Sequence, residues 1–198
     1  MKTINNLPCY EARVDDDNTG MLLVSLVEDP AVDVDFLAFE KQEPLCFKIE
    51  NEEEHKVLGV VMRPNYPMYR RNGEAEYYIQ YSPETIHQMA ERFFKNMNVN
   101  NVDTDHSFEL VDGVVLSQAF FINRAKGIDP KGFEDLPDDT LMFEYHLTSD
   151  ELWQGVKDGT WKGFSLAGTF NIVPIEAKKE NVLDSIEDLL TKITNKLK

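Results

Sequence analysis

One serine stands out as a residue that could do chemistry. Ser165 lies within residues 159–168, where a predicted helix ends and a predicted strand begins. Because successive side chains of a strand point to opposite faces, Phe164 and Leu166 would pack on one side while the Ser165 hydroxyl occupies the other. We therefore interpret Ser165 as a candidate nucleophile. A serine hydroxyl is a weak nucleophile at its ordinary pKa, so this role requires a general base from elsewhere in the chain.

His106 is the candidate for that base. It is one of four histidines, and it stands at the end of a strand predicted over residues 102–106. A histidine beside a serine takes the hydroxyl proton as attack begins and later passes it to the leaving amine. The alternative interpretation is a polar residue at a corner between strand and loop.

The residues around the serine do not match the nucleophile elbow of α/β-hydrolases. That motif requires glycine two residues after the serine, and Ala167 stands there. A buried strand serine that bonds to neighbouring backbone is therefore an alternative to the nucleophile.

Two groups of acidic residues and histidines offer other chemistry. Asp103, Asp105 and His106 carry oxygen and nitrogen ligands suited to a divalent ion, but no second cluster of His or Cys completes such a site. Glu144 and His146 share one face of a predicted strand and could reach the Ser165 face, or they could form a surface pair. We predict neither a metal nor an organic cofactor.

The charge balance excludes some classes of partner. Acidic residues outnumber basic ones by 36 to 20, which gives a formal net charge of −16. Nucleic-acid binding requires a basic surface, so it is not expected, nor is binding to an anionic membrane.

No apolar run approaches the length of a signal peptide or a membrane span. We expect a cytoplasmic protein whose cysteines, Cys9 and Cys46, stay reduced.

Hydrophobic patterning predicts an α+β fold: a mixed, mostly antiparallel, β-barrel-like sheet with helices packed outside. Ser82 and Pro83 begin an amphipathic helix over residues 82–97, and a short helix spans residues 149–158. The predicted strands are residues 21–27, 32–39, 45–49, 55–63, 76–81, 102–106, 114–123, 141–148 and 163–173.

The character of the chain changes after Pro174. Residues 176–180 are a charged linker, and apolar residues then recur every three or four positions to the end. This spacing predicts a C-terminal amphipathic helix. We expect a domain over residues 1–174, followed by a linker and helix over residues 175–198 that dock on a partner or pair with another copy.

Several segments taken together resemble one family, the XkdF-like serine proteases of tailed phages and prophages, which are relatives of the prohead (capsid maturation) proteases. No single segment is specific, but their order and spacing are, and they cover residues 20–173. The segments are residues 24–31, 35–39, 59–64, 76–78, 82–96, 105–106, 150–153 and 163–166.

The resemblance implies a fold similar to the herpesvirus assemblins, a compact barrel-like sheet ringed by helices. In that wider group a histidine on one strand and a serine on a later strand form the catalytic pair, and His106 and Ser165 match these positions. A third residue orients the histidine and begins a segment that follows the serine. Here the similar segment, residues 24–27, precedes the serine, which implies a circular permutation.

The position of the third residue would then be Leu23, which cannot orient a histidine. The candidates to substitute for it are Glu28, Asp103 and His146, and the alternative is a site without a third residue.

The implied function is a serine endopeptidase that cleaves scaffold and capsid proteins. It would act in the host cytoplasm, within the assembling prohead. The alternative is a catalytically inactive, protease-like module for capsid assembly or scaffolding. The missing acid at Leu23, the acidic surface and the apolar seam of the C-terminal helix favour that alternative.

Overall fold

The computed structural model describes residues 1–15, 19–28 and 46–176. These residues form two α-helices and twelve strands, so the predicted α+β class is confirmed. The helices are α1 (Pro83–Lys95) and α2 (Asp150–Asp158). The strands are β1 (Thr3–Ile4), β2 (Leu7–Arg13), β3 (Gly20–Val27), β4 (Lys48–Asn51), β5 (Lys56–Met62), β6 (Met68–Asn72), β7 (Ala75–Gln80), β8 (Val102–Thr104), β9 (Val114–Phe121), β10 (Leu141–Leu147), β11 (Gly163–Thr169) and β12 (Asn171–Pro174).

The strands form three sheets. The first has the order β1-β2-β7-β6 with β12 also paired to β2, the second β4-β5-β10-β9, and the third β11-β3-β8. Parallel pairing occurs between β2 and β7 and between β3 and β8, and the other pairs are antiparallel. Within the described residues no sheet closes into a barrel, so the barrel-like part of the prediction is not found there.

The strand predicted over residues 163–173 is in fact two strands in two sheets. β11 pairs with β3 and β12 pairs with β2, and Phe170 connects them. The ring of Phe170 packs edge-on against Tyr81 at 5.5 Å. Phe170 packs against the core, whereas β12 is largely exposed, so the apolar residues on both sides of the corner do not reveal the change of sheet.

Both helices begin as predicted and α2 also ends as predicted, but α1 ends at Lys95, two residues before the predicted end, and Met97 lies exposed beyond it. The Ser82 side chain accepts a hydrogen bond from the backbone of Thr85, and Pro83 occupies the first turn. Ser149 caps α2 in the same way, and Gly159 ends it in the left-handed conformation at φ 81°. Helix α1 packs against β3 and buries the residues of its apolar stripe, Ile86, Met89, Ala90 and Phe93.

An aromatic cluster holds the serine strand from its inner side. The Phe164 ring lies 5.3 Å from those of both Tyr145 and Phe47. Gly59 of β5 lies beneath the same ring, where any Cβ would come within 2.9 Å of it. Phe164 is therefore anchored in the core, and the next side chain, Ser165, must point to the opposite face of β11.

Three strands were not predicted from the sequence: β1, β2 and β6. β2 alternates weakly, and only Cys9 and Ala12 among its residues are fully buried. The strand predicted over residues 32–39 and the predicted C-terminal helix lie outside the described residues. Among the residues that are described, no helix is both long enough and apolar enough to cross a membrane.

Candidate active site

Three buried polar residues form a row across the third sheet. Ser165 of β11 is in register with Ser25 of β3, and Ser25 is in register with Asp103 of β8. Residues in register on neighbouring strands project from the same face. Ser25 and Asp103 are fully buried, whereas Ser165 keeps 7% of its surface exposed. Polar groups are seldom buried in this way without hydrogen-bond partners, so the row requires an explanation.

His106 reaches this row from a tight turn. β8 ends at Thr104, two residues earlier than predicted, because the backbone then enters the left-handed region. Asp105, His106 and Phe108 have φ values of 48°, 55° and 60°. Non-glycine residues pay about 1–3 kcal/mol each for such conformations, which persist only where the surroundings hold them.

Hydrogen bonds hold the turn in this shape. The Phe108 amide donates to Oδ2 of Asp103 over 2.7 Å, so the buried carboxylate closes the turn. Two backbone bonds of 3.0 Å complete it, from Asp105 to Leu26 and from Ser107 to Thr104. The turn is thereby fixed to both β3 and β8.

The His106 ring bridges the two serines. Its Nε2 lies 3.0 Å from Oγ of Ser165, and its Nδ1 lies 2.9 Å from Oγ of Ser25. Both distances are those of hydrogen bonds. His106 itself is exposed, so solvent reaches the ring from one side. If Nε2 accepts the Ser165 proton, Nδ1 must carry the ring hydrogen and donate it to Ser25.

The structure brings the two predicted catalytic residues together, but the suggested third residues do not bond to the histidine. Glu28 pairs with Lys162 at 3.3 Å from an exposed position. His146 lies on β10, in the second sheet. Leu23 is in register with Ala167 and makes no polar contact. Asp103 contacts the turn that carries His106, through Phe108.

Glu144 also lies away from this site. It is buried on β10, where Oε1 accepts hydrogen bonds from the side chains of Ser117 and Gln118. A role for the Glu144 and His146 face at Ser165 finds no contact to support it among the described residues.

Ser25 was missed by sequence reasoning, although a signal was present. It is the only polar side chain in the otherwise apolar strand Gly20–Val27. A single serine among buried apolar residues must find a hydrogen-bond partner. That partner is His106, 81 positions further along the chain.

The site offers no cluster of metal ligands. Within residues 1–15, 19–28 and 46–176, no group of three or more His, Cys, Asp or Glu side chains is arranged to hold a metal ion. Both nitrogens of His106 face serine hydroxyls, and Oδ2 of Asp103 faces a backbone amide. The remaining oxygen, Oδ1 of Asp103, is buried without a hydrogen-bond partner.

These features define an α+β protein with a histidine hydrogen-bonded to a strand-borne serine, the arrangement of base and nucleophile in serine hydrolases. The family model described as "Putative phage serine protease XkdF" matches residues 44–174, and the chain belongs to this family. The matched segment contains both His106 and Ser165, whereas Ser25 precedes it.

One curated relative is the Phage-like element PBSX protein XkdF of Bacillus subtilis (strain 168). It is 25% identical to this chain, and the match covers 90% of this chain and 63% of the relative. The chain thus spans less than two thirds of the length of that relative. No solved structure matches the chain.

Proposed function

We propose that this protein is a serine endopeptidase that uses Ser165 as nucleophile and His106 as general base. The observation that carries the proposal is the 3.0 Å separation between Oγ of Ser165 and Nε2 of His106. A nucleophile and a base within hydrogen-bond distance are the minimum requirement for acyl transfer. The family to which the chain belongs supports the same class of reaction.

In the first step Oγ of Ser165 attacks the carbonyl carbon of a peptide, and its proton passes to Nε2 of His106. The C–N bond of the tetrahedral intermediate then breaks, and His106 returns the proton to the leaving amine. Backbone amides must stabilise the oxyanion that forms between these events. In the second step a water molecule, deprotonated by His106, attacks the acyl ester and releases Ser165 with its hydroxyl restored.

Ser25 serves as the residue that orients the histidine. Its Oγ lies 2.9 Å from Nδ1 and accepts the ring hydrogen there, which leaves the Nε2 lone pair directed at Ser165. A hydroxyl stabilises an imidazolium less than a carboxylate does, so a slower enzyme is expected. Slow cleavage suffices for a protease that acts during assembly.

The substrates we propose are the scaffold and capsid proteins of the phage, cleaved inside the assembling prohead in the host cytoplasm. The net charge of −16 favours basic or neutral protein partners. The C-terminal segment after Pro174 would dock on these partners or on a second copy of the chain.

A fluorophosphonate probe tests the activity without knowledge of the substrate. Its phosphorus reacts with an activated serine hydroxyl, and fluoride leaves. We expect labelling of the wild type and none of Ser165→Ala. Ser107→Ala is the matched control. It removes an exposed hydroxyl that accepts from the Glu109 amide at 3.3 Å and does not contact His106, so this variant should be labelled normally. Co-expression with the capsid and scaffold proteins of the same phage should yield processed products only when Ser165 is present.

A second candidate is an inactive assembly module that keeps the protease-like fold. It is favoured by one observation: Nδ1 of His106 faces the neutral hydroxyl of Ser25 where a charged partner would be stronger. In that case the wild type would resist labelling, while truncation after Pro174 would disrupt association or capsid assembly. Labelling of Ser165, with normal assembly by the truncated protein, would remove this candidate.

A further inference from the structure

We infer that Asp103 is a positioning residue. It orients the Ser25 hydroxyl, and through Ser25 it determines which ring nitrogen of His106 carries the hydrogen. This deepens the proposed function, on which its catalytic consequence rests. The orientation itself can be measured in a protein without activity.

The first reason is that the hydrogen of the Ser25 hydroxyl lacks an acceptor. If Nδ1 of His106 donates its hydrogen to Oγ of Ser25, the serine must direct its own hydrogen elsewhere. Ser25 is fully buried, so water is not available to receive it. A buried hydroxyl hydrogen without an acceptor destabilises the folded state, because the hydrogen bond it made to water in the unfolded chain is not replaced.

The second reason is that one carboxylate oxygen of Asp103 lacks a hydrogen-bond donor. Its carboxylate is fully buried, and Oδ2 accepts from the Phe108 amide, but Oδ1 has no donor. A buried carboxylate oxygen without a donor is costly for the same reason, and charged groups suffer more than neutral ones. Asp103 therefore needs one further hydrogen.

The hydroxyl that lacks an acceptor and the carboxylate that lacks a donor lie on neighbouring strands. Ser25 and Asp103 are direct register partners on β3 and β8 and project from the same face. The two side chains are not hydrogen-bonded to each other in the structure. Neighbouring strands are about 4.8 Å apart, so a rotation of the Asp103 carboxylate would bring Oδ1 within reach of the Ser25 hydroxyl while Ser25 keeps its bond to His106. The hydrogen that Ser25 must place and the hydrogen that Asp103 lacks are then the same one.

The resulting chain has a fixed direction. A carboxylate only accepts, so Ser25 donates to Asp103, His106 donates from Nδ1 to Ser25, and Nε2 is left to accept from Ser165. No proton is transferred to Asp103. Its charge also stabilises the imidazolium that forms when Ser165 is deprotonated, as the buried aspartate does in serine-protease triads.

Asp103→Asn separates this role from a purely structural one. The asparagine carbonyl still accepts from the Phe108 amide, so the turn is retained. Its amide group, however, donates towards Ser25, which must then direct its own hydrogen to Nδ1 of His106. The ring hydrogen moves to Nε2, the wrong tautomer for a base.

The experiment records the ¹⁵N spectrum of the imidazole in the full chain, together with the rate of fluorophosphonate labelling. We expect Nδ1–H in the wild type and Nε2–H in Asp103→Asn. We also expect labelling to slow about 100-fold, the lower end of what general base catalysis contributes. Asp105→Asn is the matched control. It removes the same charge from an exposed position directly beside His106, and should leave both the tautomer and the rate within about twofold of wild type.

Ser25→Ala tests whether the effect passes through the serine. In the Ser25→Ala background, adding Asp103→Asn should change the labelling rate less than twofold, because the link is already broken. An unchanged tautomer in Asp103→Asn, or full additivity of the two substitutions, would overturn the inference. If Asp103→Asn fails to fold, an unaltered tautomer and rate in Ser25→Ala alone would do so.

The proposed function can fail separately. If no serine of the wild type is labelled, but Asp103→Asn still moves the ring hydrogen from Nδ1 to Nε2, the protein is not the proposed enzyme and the positioning role of Asp103 stands. If labelling is normal and the tautomer does not respond, the enzyme stands and the inference fails.

Discussion

Ser25 and Ser165 lie opposite each other on β3 and β11, and the His106 ring bridges their hydroxyls with hydrogen bonds of 2.9 and 3.0 Å. The two serines are therefore related to the ring in nearly the same way. What distinguishes them is access, since Ser25 is fully buried and Ser165 is not. The assignment of nucleophile and orienting residue follows from this difference.

The first prediction concerns which serine reacts. Because Ser165 keeps partial exposure and Ser25 has none, mass spectrometry of the fluorophosphonate-labelled protein should place the adduct on the peptide that contains Ser165. Ser25→Ala should still be labelled at Ser165, about 10- to 100-fold more slowly, because the ring loses its orienting acceptor. An adduct on Ser25 would reverse the two roles.

A second prediction separates Ser25 from the residues suggested by the sequence. Glu28→Gln removes an exposed partner of Lys162, and His146→Ala alters β10 in another sheet. Neither contacts His106, so both variants should be labelled within about twofold of the wild-type rate, in line with the small effect of exposed charges. A loss of more than tenfold in either variant would show that the site extends to that residue.

The third prediction concerns the contact between β11 and β3. A Cβ at Gly168 would collide with the backbone carbonyl oxygen of Gly20, so the two strands can approach only because residue 168 is glycine. Gly168→Ala should lower the free energy of unfolding by about 1–3 kcal/mol, as overpacking does. It should also slow labelling, since β11 carries Ser165.

Gly127→Ala provides the control for that substitution. Nothing lies within 4 Å of the Cβ position of residue 127. Because φ there is 76°, alanine introduces backbone strain alone, about 1–2 kcal/mol. Denaturant unfolding and the labelling rate should together distinguish the two variants, because Gly127→Ala is expected to be labelled at the wild-type rate. Normal labelling of Gly168→Ala would contradict the proposed contact.

The fourth prediction concerns alkaline stability. Burial raises the pKa of Tyr81 to about 12, and burial raises the pKa of Tyr145 as well. The folded state thus favours the neutral phenol. The stabilisation is complete below the unfolded pKa of about 10 and is lost as the pH rises towards 12. For Tyr81 the loss should approach ~1.4 kcal/mol per pH unit over this range.

Tyr81→Phe should remove that share of the pH dependence, because phenylalanine cannot ionise. Chemical denaturation at several pH values between 9 and 12 measures it. Equal slopes in Tyr81→Phe and the wild type would contradict the prediction.

Local sequence patterns predicted the regular elements that surround the site. The caps at Ser82 and Ser149, the apolar face of α1 and the left-handed Gly159 all depend on residues a few positions apart. The end of β8 was placed too late, because the left-handed turn at Asp105 and His106 depends on a bond from Asp103 to Phe108 and on the neighbouring strand β3. Such a turn has no glycine to announce it.

By itself the sequence determined the class of fold, His106 and Ser165 as a candidate pair, and the family that the order and spacing of its segments indicate. Only the tertiary structure decided what lies behind the histidine. β3, from near the N-terminus, inserts between β8 and β11, and its register places Ser25 between Asp103 and Ser165. A hydrophobic pattern specifies register where one face of a strand is polar, but β3 is apolar on both faces, so its pattern does not indicate which residues of β8 and β11 it pairs with.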